Sequence, residues 1–160
     1  MPDDTLTIRR AQPGDLDVIT NHNLALAIES EGRQLVQQVV RSGVARLLAD
    51  PQRGWYYLAC RDSQPVGQML VTREWSDWRD GWFWWIQSVY VQPALRKQGV
   101  YRALHEHVAA EARRAGDVCG LRLYVEQENH VAQQVYQRLG LKPTSYLLFE
   151  ADWCACDAQL

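Results

Sequence analysis

The sequence shows little excess charge of either sign. Lys and Arg number 17, Asp and Glu number 19, and the formal net charge is -2. A chain of this kind has no overall positive field to attract nucleic acid or an anionic membrane. We therefore expect neither as a partner, and any site for an anion must be built locally.

Long apolar runs and metal-ligand clusters are also missing. No window approaches the length of a membrane span, and the acidic first four residues are not followed by the apolar run of a secretory signal. We expect a cytoplasmic protein. Cys154 and Cys156 form a lone C-x-C, Cys60 and Cys119 lie alone in strands that we expect to be buried, and the four histidines offer no ligand set. The sequence predicts reduced thiols, histidines that are exposed or hydrogen-bonded, and no metal.

Length and periodicity predict one α/β (α+β) domain over residues 1–152, followed by a C-terminal tail at 153–160. The expected order is β-α-α-β-β-β-α-β-α-β. Helical crossovers between strands occur only in the second half, so we expect a mixed, mostly antiparallel sheet. The predicted strands are 5–9, 55–61, 66–73, 82–91, 121–125 and 146–150, and the predicted helices are 16–28, 35–48, 99–115 and 130–139.

Residues 88–104, SVYVQPALRKQGVYRAL, show a pattern of strand, tight loop and helix. The first turn of a helix exposes amide groups without internal partners, and the helix dipole adds partial positive charge there. Gly99 allows close approach of the backbone to an anion, and Arg96, Lys97 and Arg102 supply local cations. The pattern predicts a phosphate site, although a plain connection with a solvated basic loop would have the same appearance.

The loop resembles the Q/R-x-x-G-x-G/A signature of the GNAT acetyltransferase superfamily, which follows an apolar strand that ends in a V-x-P-like turn. The resemblance implies a GNAT-like fold and acetyl-CoA as cofactor, with the loop amides on its pyrophosphate and the preceding strand at the pantetheine and the thioester carbonyl. Tyr101 departs from the pattern, because the family usually has Gly or Ala there. The cofactor-binding residues so implied are Val89, Tyr90, Val91, Arg96, Lys97, Gln98, Gly99, Val100, Tyr101 and Arg102.

Residues 129–141 look like the second half of the same family, N-x-x-A-x-x-x-Y-x-x-x-G-F/L. Asn129 and Tyr136 are seven residues apart, which places both on one face of a helix. The resemblance implies that Asn129 binds the pantetheine and that Tyr136 lies beside the sulfur as general acid. Taken alone, Asn129 also suits a helix N-cap, and Tyr136 suits a core position beside Val135 and Leu139.

The general base is harder to assign. An amine acceptor must lose a proton before it attacks a thioester, so a carboxylate or a water chain should lie nearby. Many family members have an acid in the fourth strand near the position of Gln87, and an amide cannot serve as that base. Glu29, Glu31 and Glu74 are the candidates, and each is also typical of a solvated surface acid.

Five of the seven tryptophans lie within residues 75–85. Strand alternation sends Trp82, Trp84 and Ile86 to one face of the sheet and Trp85 to the other, so some of this aromatic surface must be exposed. Three uses remain open: a cation–π site for a cationic amine, a homodimer interface, or core packing for Trp82 and Trp84.

The resemblance at residues 88–104 and 129–141 implies an N-acetyltransferase that moves an acetyl group from acetyl-CoA to an amine of a small molecule or peptide by direct attack. A non-catalytic acyl-CoA-binding or regulatory module is the alternative, because an obvious base is missing. A third reading is a tryptophan-rich interaction domain without a cofactor. The sequence does not identify the acceptor.

Overall fold

The computed structural model describes residues 5–154. The five strands of its single sheet lie in the order β1-β2-β3-β4-β5, with antiparallel pairing from β1 to β4 and parallel pairing between β4 and β5. The predicted mixed, mostly antiparallel sheet is confirmed. The strands are β1 (Thr7–Arg10), β2 (Trp55–Arg61), β3 (Gln64–Ser76), β4 (Gly81–Val91) and β5 (Val118–Leu123); the helices are α1 (Leu16–Glu31), α2 (Gln37–Ala49), α3 (Val100–Ala115) and α4 (His130–Arg138).

Helices cover both faces of the central strands. In β2, Tyr57 and Ala59 belong to the core beneath α3, whereas Tyr56 and Leu58 belong to the core beneath α1 and α2. Because both faces are buried, the strand is apolar throughout instead of alternating with polar residues. The alternation predicted for β4 is confirmed on the α3 side, where Trp84 and Ile86 are buried and Trp82 packs against them.

The prediction of a last strand at residues 146–150 is wrong. These residues form no strand, and the four apolar side chains from Tyr146 to Phe149 are exposed. The run has high local β propensity, but a strand exists only when a neighbouring backbone takes its hydrogen bonds. Within residues 5–154, no strand pairs with the outer side of β5.

The expectation that Cys119 is buried is also wrong. Cys119 is exposed because β5 lies at the edge of the sheet, and its Sγ is 3.3 Å from the carbonyl oxygen of Trp82. Cys60, in the more central β2, is buried as expected. Cys156 and the end of the predicted tail lie outside the described residues, and the boundary at residue 152 stays a prediction.

Two features are absent from residues 5–154. No helix in this part of the chain is long and apolar enough to cross a membrane. No group of three His, Cys, Asp or Glu side chains in it could hold a metal ion.

Candidate active site

The loop between β4 and α3 has the geometry of an anion site. Gly99 caps the N-terminus of α3 with a φ of 83°. A Cβ atom on Gly99 would meet no atom within 4 Å, so the space in front of the helix is open. The amides of the first helical turn have no intrahelical acceptor, and the helix dipole makes this end positive. The loop can therefore receive a phosphate group.

A β-bulge interrupts β4 just before this loop. Gln87 pairs with Leu70 and Tyr90 pairs with Gln68, so Ser88 and Val89 together lie opposite Met69. Ser88 has a φ of 46°, which is uncommon for a residue other than glycine. A bulge leaves one residue out of the ladder and redirects the backbone. Backbone polar groups of β4 are thereby released from the sheet, within the strand expected to contact a thioester.

A buried polar network lies behind the bulge. Gln68 is fully buried, and its Nε2 donates to the Ser88 carbonyl at 3.1 Å and to Asn23 Oδ1 at 2.7 Å. Its Oε1 lies 3.2 Å from His22 Nδ1. Asn23 in turn donates to the Tyr56 hydroxyl at 3.0 Å. Sequence reasoning missed these residues, although a lone Gln inside the apolar run from Val66 to Val71 was a usable signal.

Burial keeps this network uncharged. It lowers the pKa of His22, whose hydrogen bond to Gln68 offsets only part of the shift. It also raises the pKa of the Tyr56 phenol. The His22 ring lies 4.8 Å from the Tyr90 ring, so the network extends to the face of β4. A neutral network can orient backbone groups without adding charge to the site.

Tyr136 of α4 meets Tyr101 at the start of α3. Their ring centroids are 5.8 Å apart at an interplanar angle of 60°. Burial raises the pKa of both phenols above the ordinary value. At neutral pH both hydroxyls are therefore protonated and able to donate. The Tyr101 hydroxyl is buried, and it has no hydrogen-bond partner among the described residues.

Comparison with known proteins assigns most of the chain to one family. A family model described as Acetyltransferase (GNAT) family matches residues 23–141. The chain belongs to the GNAT acetyltransferase family. A possible acetyltransferase from Clostridium difficile 630 is 37% identical, with a TM-score of 0.88 over 94% of this chain and 99% of that one. No match was found among curated proteins.

More distant solved structures share the fold. A predicted acetyltransferase from Clostridium acetobutylicum, solved with acetyl-CoA, is 16% identical with a TM-score of 0.76, over 92% of this chain and 96% of that one. An aminoglycoside N-acetyltransferase in complex with CoA is 18% identical with a TM-score of 0.74, over 94% and 96% of the two chains. Membership of this family makes acetyl-CoA the cosubstrate. The space in front of Gly99 at the start of α3 is open.

The departure of this GNAT chain at Tyr101 has a structural explanation. The residue lies in the first turn of α3, where its amide has no intrahelical acceptor. Its ring packs against Tyr136 and the core beneath α3 instead of filling the space at Gly99. A large side chain is therefore compatible with an open loop.

The basic side chains of the loop differ in their contacts with neighbouring carboxylates. Arg96 donates through Nε to the Val91 carbonyl at 2.9 Å, and its guanidinium forms an ion pair with Glu29. Arg102 lies 3.9 Å from Glu106 on the next turn of α3. Lys97 is exposed in the loop, with a φ of 62°. The charge of Arg96 is thus partly neutralised before any phosphate binds.

Asn129 acts as the N-cap of α4. Its Oδ1 accepts a hydrogen bond of 3.1 Å from the Ala132 amide. The side chain is otherwise exposed, so its Nδ2 group can still donate to a ligand. The capping reading and the expected pantetheine contact are therefore compatible.

Glu29 is the candidate base that lies beside the end of β4. Its carboxylate accepts a hydrogen bond of 3.4 Å from the Tyr90 hydroxyl and pairs with Arg96. Burial, followed by the negative charge of Glu29, raises the pKa of Tyr90, so this phenol remains a donor to the carboxylate. The contact links the C-terminal end of α1 to the strand expected to hold the thioester.

The other two candidate bases lie elsewhere. Glu31 is exposed and pairs with Arg33 at 3.3 Å. Glu74 pairs with Arg122. In the strand register Glu74 is opposite Phe83, and at about 3.3 Å per residue that position is roughly 23 Å along β4 from Tyr90.

The hairpin between β3 and β4, which carries the five tryptophans of residues 75–85, is only partly exposed. Trp78 is 85% exposed and Trp75 is 47% exposed. The Trp82 ring already receives the guanidinium of Arg73 at 4.9 Å. The Trp85 ring lies 4.4 Å from the Tyr124 ring. Core packing therefore explains Trp84, whereas Trp75 and Trp78 remain available at the surface.

Proposed function

We propose that this GNAT chain is an N-acetyltransferase that moves the acetyl group of acetyl-CoA directly to a neutral amine of a small molecule or peptide. The observation that carries the proposal is the open N-terminus of α3 at Gly99, placed directly after the β4 bulge. The open helix N-terminus suits a pyrophosphate. The bulge suits a thioester carbonyl that must be polarised. Acetyl-CoA supplies the activated acyl group and a thiol leaving group.

The binding role falls to backbone groups. Amides of the loop residues Lys97 to Tyr101 would hold the pyrophosphate, helped by the α3 dipole. The backbone of β4 at Val89 and Tyr90 would donate to the thioester carbonyl, which carries more negative charge in the transition state than in the ground state. Donors fixed by a buried network lose little free energy to reorganisation during the reaction.

The proton of the acceptor amine would pass to Glu29. Its contact with Tyr90 puts a carboxylate beside the C-terminal end of β4. An ammonium ion has a pKa near 10, so a neighbouring acceptor for its proton raises the fraction of nucleophilic amine.

The leaving thiolate would take a proton from Tyr136. Burial raises the pKa of this phenol, so it arrives protonated at the reaction. A positioned general acid contributes roughly 10²–10⁴-fold to a rate. The contribution here is expected near the lower limit, because a thiolate is already a fair leaving group with a pKa near 8.5.

A non-catalytic acyl-CoA-binding or regulatory module is the second candidate. Each of the three candidate carboxylates is held in an ion pair. Gln87 is held by Thr72, to which its Nε2 donates at 2.6 Å. A module that binds the cofactor without transferring the acetyl group would need no free base.

An amine panel separates the two candidates. Purified protein is mixed with acetyl-CoA and with aminoglycosides, polyamines, amino acids and peptides, and both thiol release and acetylated product are measured. We expect one amine class to give equal amounts of the two. Glu29→Gln should lower kcat by roughly 10²-fold, whereas Glu31→Gln, on the same helix end, should not.

Calorimetry with CoA accompanies the panel. Tight CoA binding without transfer to any amine would favour the regulatory module. Absence of CoA binding in folded protein would refute both candidates.

A further inference from the structure

Both carboxylate oxygens of Glu29 already have partners. Its Oε1 accepts a hydrogen bond of 3.4 Å from the Tyr90 hydroxyl, and its Oε2 is held by Nη2 of Arg96. A group that takes a proton from an amine must offer an oxygen to that amine. The place beside Oε2 is filled by a guanidinium, so the contact with Arg96 must change before an ammonium group can occupy it.

Glu29 lies where a helix favours a positive charge. It belongs to the last turn of α1, and that turn contains no basic side chain. The C-terminal end of a helix is partially negative, so a carboxylate there is stabilised by a cation from another segment. Arg96 supplies the cation in this structure. The ammonium group of an acceptor carries the same charge and would suit the same position.

The guanidinium of Arg96 is directed at the end of β4. Its Nε donates to the Val91 carbonyl at 2.9 Å, and its Cζ lies 5.6 Å from the centre of the Tyr90 ring. The backbone of Arg96 belongs to the loop that leads to Gly99 at the start of α3. This one side chain therefore connects the proposed pyrophosphate site with the proposed base.

We propose that Arg96 exchanges Glu29 for the cofactor. In the free protein the guanidinium holds the carboxylate; in the complex it binds the pyrophosphate and leaves Oε2 of Glu29 to the ammonium group of the acceptor. The inference rests on the proposed function, because it takes Glu29 as the base. Its consequence is that the carboxylate becomes available to the amine only when the acetyl donor is in place.

The exchange requires an ion pair that is easily broken. The side chains of Arg96 and Glu29 are 44% and 37% exposed. Ion pairs between exposed side chains contribute little to stability, because water and side-chain entropy oppose them. A guanidinium can form two parallel hydrogen bonds with phosphate oxygens, and the α3 dipole favours the anion at the same place. The pyrophosphate therefore competes effectively with Glu29 for Arg96.

Calorimetry with CoA tests the exchange without acetyl transfer. If CoA must displace Glu29 from Arg96, Glu29→Gln should bind CoA about 2- to 5-fold more tightly than the wild type, as expected from loss of an exposed ion pair. Glu31→Gln is the matched control, because it removes the same charge from the same helix end, and it should leave the affinity unchanged. Arg96→Gln should weaken binding by roughly 10-fold. Glu29→Gln added to Arg96→Gln should bring no further gain, which closes a double-mutant cycle.

The same titrations with ADP identify the part of the cofactor that competes. ADP has a pyrophosphate but no pantetheine, so Glu29→Gln should gain affinity for ADP as well. A gain with CoA but not with ADP would overturn the exchange, because the competing group would then lie outside the pyrophosphate. A gain that persists in the Arg96→Gln background would overturn it too.

Failure of the exchange is distinguishable from failure of the proposed function. Equal CoA affinity of the wild type and Glu29→Gln would overturn the exchange. If Glu29→Gln nevertheless lowered kcat in the amine assay, the role of Glu29 as base would stand. Absence of CoA binding in the folded wild type would refute the proposed function and the exchange together.

Discussion

The side-chain amide of Gln68 donates a hydrogen bond of 3.1 Å to the backbone carbonyl of Ser88, the residue of β4 with a φ of 46°. A residue held in this region costs on the order of 1–3 kcal/mol unless its surroundings stabilise it. The buried amide supplies such stabilisation and fixes the carbonyl direction at the bulge. We therefore propose that Gln68 positions the backbone amides of Val89 and Tyr90, which follow Ser88 in β4.

Gln68→Leu should lower kcat by about 10-fold or more while leaving CoA affinity nearly unchanged, because it loosens a donor that acts mainly in the transition state. The free energy of unfolding should fall by about 1–3 kcal/mol, since buried partners lose their hydrogen bonds. Steady-state kinetics, calorimetry with CoA and urea unfolding give the three values. His22→Phe is the matched control, because it removes another member of the network and leaves the bond to Ser88. Equal losses of kcat in both variants would contradict the positioning role.

Gly99→Glu should abolish CoA binding, because it puts bulk and negative charge into the open space before α3. Gly116→Glu is a close control. Gly116 also has a φ near 80° and open space at its Cβ position, but it caps the opposite end of the same helix. Both variants carry similar backbone strain, so only the Gly99 variant should lose affinity in calorimetry. Unchanged affinity in a folded Gly99 variant would refute the loop assignment.

Tyr136→Phe should lower kcat by roughly 10²-fold, as expected for loss of a general acid, and leave CoA affinity nearly intact. The ring that packs against Tyr101 is kept, so the fold should survive. Tyr124→Phe, at a phenol stacked on Trp85, should leave kcat unchanged. The rate is followed by thiol release with a competent amine. If kcat is unchanged while chemistry limits the rate, Tyr136 has only a packing role.

Two buried histidines should make the fold sensitive to acid. Burial lowers the pKa of both His22 and His105. Below the unfolded-state value of about 6.5, the unfolded chain takes up protons that the folded chain does not bind. Stability should therefore be full above this pH and decline as the pH falls toward the lowered folded values. The double variant His22→Gln/His105→Gln should show a shallower decline in urea unfolding measured across this range; an equally steep decline would contradict the assignment.

Local patterns in the sequence determined most of the framework. Three elements around the cofactor loop follow from periodicity and from Gly99, because a strand, a tight turn and a helix start depend mainly on neighbours along the chain. The opposite orientations of Trp84 and Trp85 likewise follow from the pleat of a strand. The expectation that Asn129 and Tyr136 share one face of a helix follows from their seven-residue spacing.

Tertiary contacts decided the rest. The Ser88 carbonyl at the bulge accepts a hydrogen bond from Gln68, twenty residues away. The preference for Glu29 over Glu74 as the base depends on the strand register, which no local sequence pattern determines. The segment 146–150 has strand propensity but no strand, because backbone pairing needs a neighbour that propensity does not supply. Sequence fixes what each stretch of chain prefers, and only the folded arrangement determines which distant groups meet those preferences.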